Sequence, residues 1–229
     1  MAGIDAAQVC AMVLAGGMGS RMGGMDKGLE LLHGRALAWH CVERLRAQVG
    51  GAPGMIAINA NRNTQTYEAW GCPVWGDALQ GFAGPLAGFQ TGLQRCANAE
   101  QVAHHRPALN YLLTVACDTP RFPLDLLQRL ATALDLEKAD IAVAAAPEQG
   151  PDGTMSVRTQ PVFCLMRTTL AVSLTDFLQG GGRKVDAWTA RHRTATVVFD
   201  RAHDAPQAFF NANTRSELEQ LNTPSMDYP

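Results

Sequence analysis

The chain has 229 residues, 47% of them hydrophobic, with a net charge of −2 and pI ≈ 6.3. That length suits one α/β domain with a sizeable core, and the balanced charge excludes a broad basic face for nucleic acid, so a small ligand is expected. Six cysteines (Cys10, Cys41, Cys72, Cys96, Cys117, Cys164) stand far apart with no C-x-x-C pair, which argues against a zinc site or disulfide framework and for buried thiols in a reducing cytoplasm.

In chain order, Val9–Ala15 is a short apolar run of strand length, too short to span a membrane and without the basic lead of a signal peptide. It breaks into Gly16, Gly17, Gly19, Arg21, Gly23, Gly24, Asp26 and Lys27. Glycines at that density let bare N–H groups approach an anion, and Arg21 and Lys27 add two cations to the cradle. The loop therefore reads as a phosphate loop. It is neither a dinucleotide G-x-G-x-x-G, whose last position would be Met22, nor a Walker loop, because Lys27 is followed by Gly28.

Ala36–Gln48 has helical spacing, Met55–Ile58 reads as a buried strand, Thr64–Trp70 as a short helix and Pro73–Trp75 as a brief strand. Gly84-Pro85-Leu86-Ala87-Gly88 leads into a helix predicted over Leu86–Cys96, whose N-terminus is a ready anion site. Tyr111–Val115 is a strand, Leu124–Leu136 an amphipathic helix and Ile141–Ala146 another strand. This alternation predicts a parallel, helix-covered sheet. Glu148–Thr159 reads as a mobile polar loop. Beyond it come strand Pro161–Leu165, helix Thr168–Gln179, a GGGRK turn, helix Val185–Ala190, strand Ala195–Phe199 and a last helix near Thr214–Leu221, ahead of a disordered tail at 224–229.

Ligands of open parallel sheets bind at the carboxyl ends of the strands. Four successive predicted strand ends carry the phosphate loop, Asn59, Asp77 and Asp118. A carboxylate beside bound phosphates needs an intervening cation, and Mg²⁺ held by one carboxylate plus substrate phosphates meets that need. The other reading makes Asp118 a helix cap or a turn former with Thr119-Pro120. Asn59 and Asp77 suit hydrogen bonds to a nucleoside, guanine donors in particular, or ordinary turns. Arg183 and Lys184 offer a second basic spot, either for another anionic partner or as a solvated turn. Asn211 and Asn213 fall on one face if extended. Thr214 followed by Glu217 is a capping-box pattern.

The motifs LAGGMGSRMGGMDK, INANR, the lone Asp77, GPLAG, CDTP, QPV, GRK and FNANT, in that order, resemble the molybdenum cofactor guanylyltransferase family from about Val9 to Leu221. One departure is Gly19, where many members carry Ser. The resemblance implies a single Rossmann-like α/β nucleotidyltransferase domain over 1–223, with a mostly parallel sheet covered by helices on both faces. Its N-terminal half would bind nucleotide and its C-terminal half the acceptor. It implies transfer of GMP from GTP to Mo-molybdopterin with release of pyrophosphate. Leu14, Ala15, Gly16, Lys27, Asn59, Asp77 and Asp118 would bind GTP, with Mg²⁺ on Asp118 and catalytic roles for Arg21, Lys27 and Asp118. Gly84, Gly88, Arg183, Asn211 and Asn213 would face the acceptor. Proteins of molybdopterin insertion and molybdoenzyme delivery are the expected partners of a monomeric, cytoplasmic enzyme. The stretches His104–Pro107 and 148–158 look longer than the family minimum.

Overall fold

The computed structural model describes residues 3–17, 26–78, 84–99, 108–150, 152–212 and 214–222. The first strand, β1 (Val9–Leu14), is fully buried over its first five residues. A two-residue hairpin, β2 (Leu31–Leu32) and β3 (Arg35–Ala36), turns at His33-Gly34, both at positive φ, and leads into α1 (Leu37–Arg46). The apolar periodicity of α1 places Leu37, Cys41 and Leu45 on its buried face, while Val49 lies past its end and is exposed. β4 (Met55–Asn59), α2 (Thr64–Glu68), β5 (Val74–Trp75), α3 (Pro85–Ala99), β6 (Tyr111–Ala116) and α4 (Leu126–Leu136) follow as the alternation predicts. α3 begins on Pro85, whose fixed φ and missing N–H suit a first helical position.

The segment expected as a loop over 148–159 is instead the tip of a long hairpin. β7 (Ile141–Gln149) and β8 (Met155–Arg167) pair from Gln149↔Met155 inward, with an irregularity between Val143 and Ala144. Between them Gly150 N donates to Thr154 O, and Gly153 takes φ +81. Its polar side chains misled the sequence reading, because a two-stranded arm with both faces near solvent has no apolar alternation to betray it. α5 (Ala171–Gln179), preceded by a 3-10 turn at Thr168–Leu170, then α6 (Val185–Thr189), β9 (Thr194–Val198) and α7 (Arg215–Asn222) complete the described elements.

The main sheet has order β5-β4-β1-β6-β8-β7-β9. Every pairing is parallel except those of β8, which runs antiparallel to both β6 and β7. One face packs against α1 and α4 through Cys41, Val42, Leu45, Leu126, Leu130 and Leu134. The other packs against α3, α5 and α6 through Phe89, Leu93, Leu174, Phe177 and Trp188. All six cysteines are buried and free. No helix among the described residues is long and apolar enough to cross a membrane. The tail at 224–229 and the His104–Pro107 stretch lie outside the described residues.

Candidate active site

The chain steps outward from β1 to β4 and β5, then returns to lay β6 on the other side of β1. That reversal opens a crevice where the loops after β1 and β6 part. The strands end level: Leu14 pairs with both Asn59 and Ala116, and Asn59 pairs with Trp75. Two residues further along each strand stand Gly16, Asn61, Asp77 and Asp118, so one row past the sheet edge carries a loop glycine, an amide and two carboxylates.

Asp118 meets the loop through Lys27, whose Nζ lies 3.3 Å from Asp118 Oδ2. Both side chains are about one-fifth exposed, at 21% and 18%. Lys27 opens a short 3-10 turn capped by Asp26, whose Oδ1 accepts from Gly28 N (3.1 Å) and Tyr67 Oη (2.7 Å) and whose Oδ2 accepts from Asn63 Nδ2 (3.0 Å). Burial, then the bond to Asp26, pushes the Tyr67 phenol well above its ordinary value, which keeps it a donor. Gly28 is required here because a Cβ would overlap the Tyr67 hydroxyl and press on Ala15. On the far side, Asp118 O accepts from Ala212 N (2.8 Å), and the Thr119 hydroxyl donates to Asn211 Oδ1. The chain before α7 is thereby tied to the Asp118 turn. Asp118 does sit in a turn, but its carboxylate faces Lys27, and α4 starts later, after Asp125.

Asn59 is 3% exposed and directs its amide inward, donating to Trp75 O and Asp77 Oδ1, both at 2.9 Å. Both amide donors of Asn59 are thus engaged within the protein. Asn61, which the sequence reading did not single out, donates to Asp77 Oδ2 (2.7 Å) and to Gly16 O (3.3 Å), and accepts from Asp77 N (2.8 Å). Arg62 Nη2 donates to Gly17 O at 3.3 Å. The overlooked signal was register: Asn61 stands as far past Asn59 as Asp77 stands past Trp75.

The remaining expected residues divide. Leu14 ends β1, Ala15 just past it donates its N–H to Asn59 O at 2.8 Å, and half-buried Gly16 follows. Gly84 is exposed with φ +122 just before α3. Gly88, expected to face an acceptor, is buried instead; a Cβ there would stand 2.7 Å from Asn59 Oδ1 and 2.8 Å from Leu14. It is a spacing residue that lets α3 lie close on the sheet. Arg183 is exposed in the turn after α5, its Nη1 donating to Leu178 O (3.0 Å) and Gly182 O (2.6 Å). Arg21, Asn213 and residues 18–25 of the glycine loop lie outside the described residues. Thr214 caps α7 as its spacing predicts: its Oγ1 accepts from Glu217 N at 3.2 Å and donates to the Glu217 carboxylate at 3.0 Å.

A divalent ion would find a hard, part-exposed oxygen donor on Asp118, at the mouth of the crevice and beside the phosphate loop. Asp26, by contrast, has its carboxylate engaged by Tyr67, Asn63 and Gly28. One carboxylate in that position suits a divalent cation held jointly with a ligand's phosphates. Elsewhere, Asp125, His203 and Asp204 place ligand atoms within 4.8 Å of one another. There Asp204 gives both carboxylate oxygens to Arg129, at 2.8 and 2.9 Å, so the group is an ion-pair knot and not a cation site.

The family model described as a MobA-like NTP transferase domain matches residues 11–197. The chain belongs to that family. It is 55% identical over 223 residues to the molybdenum cofactor guanylyltransferase of Albidiferax ferrireducens, covering 97% of this chain and 100% of that one. It is equally similar, 55% over 219 residues, to the molybdenum cofactor guanylyltransferase of Acidovorax ebreus, covering 95% and 97%. The crystal structure of molybdopterin-guanine dinucleotide biosynthesis protein A from Archaeoglobus fulgidus shares the fold, with TM-score 0.68 at 19% identity over 93% of this chain and 96% of that one. For a MobA-like NTP transferase, the row past the sheet edge lies where a nucleotide is held in open α/β sheets.

Proposed function

We propose that this MobA-like NTP transferase transfers GMP from GTP to Mo-molybdopterin, forming molybdopterin guanine dinucleotide and releasing pyrophosphate. The observation that carries the reading is the meeting of Lys27 and Asp118 across the crevice, level with Gly16 and Asp77. The full-length similarity to molybdenum cofactor guanylyltransferases supports the choice of guanine and of the pterin acceptor.

An acceptor phosphate oxygen attacks the α-phosphorus of GTP, and the bond to the bridging oxygen breaks, so pyrophosphate leaves with the electron pair. The acceptor is already an anion, so no general base is needed, and no histidine stands in the row. Asp118 would hold Mg²⁺, which when bound neutralises phosphate charge and favours departure of pyrophosphate. Lys27 gives its ammonium to the polyphosphate, and the backbone from Leu14 through Gly16 cradles it. Asp77, held by Asn59 and Asn61, accepts from the guanine N1–H and 2-amino group. Gly84, Arg183 and Asn211 line the acceptor side, with Arg21 and Asn213 assigned to phosphate and pterin from the motif alone. Six buried free thiols suit a cytoplasmic protein.

The test is pyrophosphate release with Mo-molybdopterin and each of the four common NTPs in Mg²⁺ buffer. Turnover with GTP alone is expected. Preference for CTP, or binding of GTP without pyrophosphate release, overturns the reading.

A further inference from the structure

We infer that Asn61 and Arg62 are positioning residues that couple base recognition to the phosphate loop, with Asn61 as the specificity-determining joint. The inference rests on the guanylyl-transfer reading and extends it to two residues outside the nucleotide-contacting set.

Three observations converge on Asn61. Its Nδ2 carries two N–H groups, one directed to Asp77 Oδ2 (2.7 Å) and the other to Gly16 O (3.3 Å), while its Oδ1 accepts from Asp77 N (2.8 Å). Asp77 is therefore gripped by side chain and backbone from the same amide. Asn59 holds the other carboxylate oxygen at 2.9 Å, so both oxygens are aimed and each keeps a second lone pair for a ligand donor. A two-oxygen acceptor held in one plane matches the adjacent N1–H and 2-amino donors of guanine, and offers nothing to a base lacking them.

Gly16 and Gly17 supply the second half. Their carbonyls are both turned toward the β4 end, by Asn61 and by Arg62 Nη2 at 3.3 Å. Because a trans peptide points its N–H opposite to its C=O, holding the Gly16 carbonyl directs the Gly17 N–H away from Asn61. The same amide thus aims a carboxylate for the base and a backbone donor for a phosphate. Preorganising both ends of one ligand limits the ordering lost on binding. Asn61 is on an exposed turn with no core role, so a geometric function accounts for three hydrogen bonds that stability alone does not require.

The experiment measures steady-state pyrophosphate release with GTP and with inosine triphosphate, which lacks the 2-amino group, for the full-length wild type, Asn61→Ala, Arg62→Ala and Arg62→Lys. Asn61→Ala is expected to raise the KM for GTP about tenfold and to lower the GTP-over-ITP ratio of kcat/KM about tenfold, the scale of a lost charged hydrogen bond, with kcat within about threefold. Arg62→Ala is expected to raise KM with the base ratio unchanged, and Arg62→Lys to recover most of it. Asn61→Ser, read the same way, substitutes for Asn61→Ala if that variant does not fold. An unchanged GTP-over-ITP ratio in a folded Asn61 variant overturns the inference, whether or not kcat falls. A wild type that releases no pyrophosphate from GTP overturns the underlying reading instead, so the two failures are distinct.

Discussion

Lys27 Nζ and Asp118 Oδ2 stand 3.3 Å apart although 91 residues separate them in the chain. The pair bridges the loops after β1 and β6 and joins the last part of the glycine loop to the carboxylate just past β6. Without ligand each charge neutralises the other. On the proposed reading, both would already be in place for a polyanion and its metal, so little reorganisation would be needed.

Lys27→Ala and Asp118→Ala are each expected to leave the fold intact and to lower kcat on the order of a hundredfold or more, the scale of losing a preorganised charge contact. Pyrophosphate release measures the loss, and far-UV circular dichroism checks the fold. Near wild-type turnover in either variant refutes the role assigned to that residue.

Gly28 is a steric requirement. Gly28→Ala is expected to cost about 1–3 kcal/mol in urea unfolding, because the new methyl displaces the Tyr67 hydroxyl from Asp26. Tyr67→Phe removes the atom that the methyl would strike, so the double variant should lose less than the sum of the two singles. Strict additivity would show that the overlap is relieved elsewhere.

Arg129 and Asp204 form the most buried ion pair of the described residues, with side chains 8% and 4% exposed. Arg129 also donates to Val198 O at 2.6 Å and lies 3.8 Å from the Phe199 ring centroid. Arg129→Ala should destabilise by about 3–5 kcal/mol, since it leaves a buried carboxylate uncompensated. Arg129→Met with Asp204→Leu should recover most of that stability. If the double variant is no better than the single, the charges are not what the site requires.

Burial holds several cysteine thiols above their ordinary value of 9.0: Cys164 is pushed up to about 12, and Cys41 and Cys117 are raised by burial first and by Asp118 second. A group whose folded pKa is raised contributes stability below its unfolded pKa, and that stability falls as pH rises past it. Thermal stability is therefore expected to drop above about pH 9. At pH 8, a thiol reagent should label the native chain slowly and all six cysteines once urea is added. Rapid labelling of the native chain would show that the thiols are not enclosed.

The sequence by itself determined the alternation of β1, β4, β5 and β6 with their helices, because apolar runs punctuated by glycine report local burial directly. It also marked Asp77 and Asp118, since polar residues just past strand ends have few structural reasons to be there, and Lys27 as a cation closing a run of glycines. Only the tertiary structure decided which of those residues meet. Strand register put Asn61 beside Asp77 and Gly16, and α3 packing turned Gly88 inward. Pairing across the hairpin made strands of 148–149 and 155–159, whose polar side chains concealed a backbone held by a partner strand. Side-chain pattern is a property of one segment, whereas register, close helix approach and strand pairing are relations between segments distant in the chain, and those relations arise only on folding.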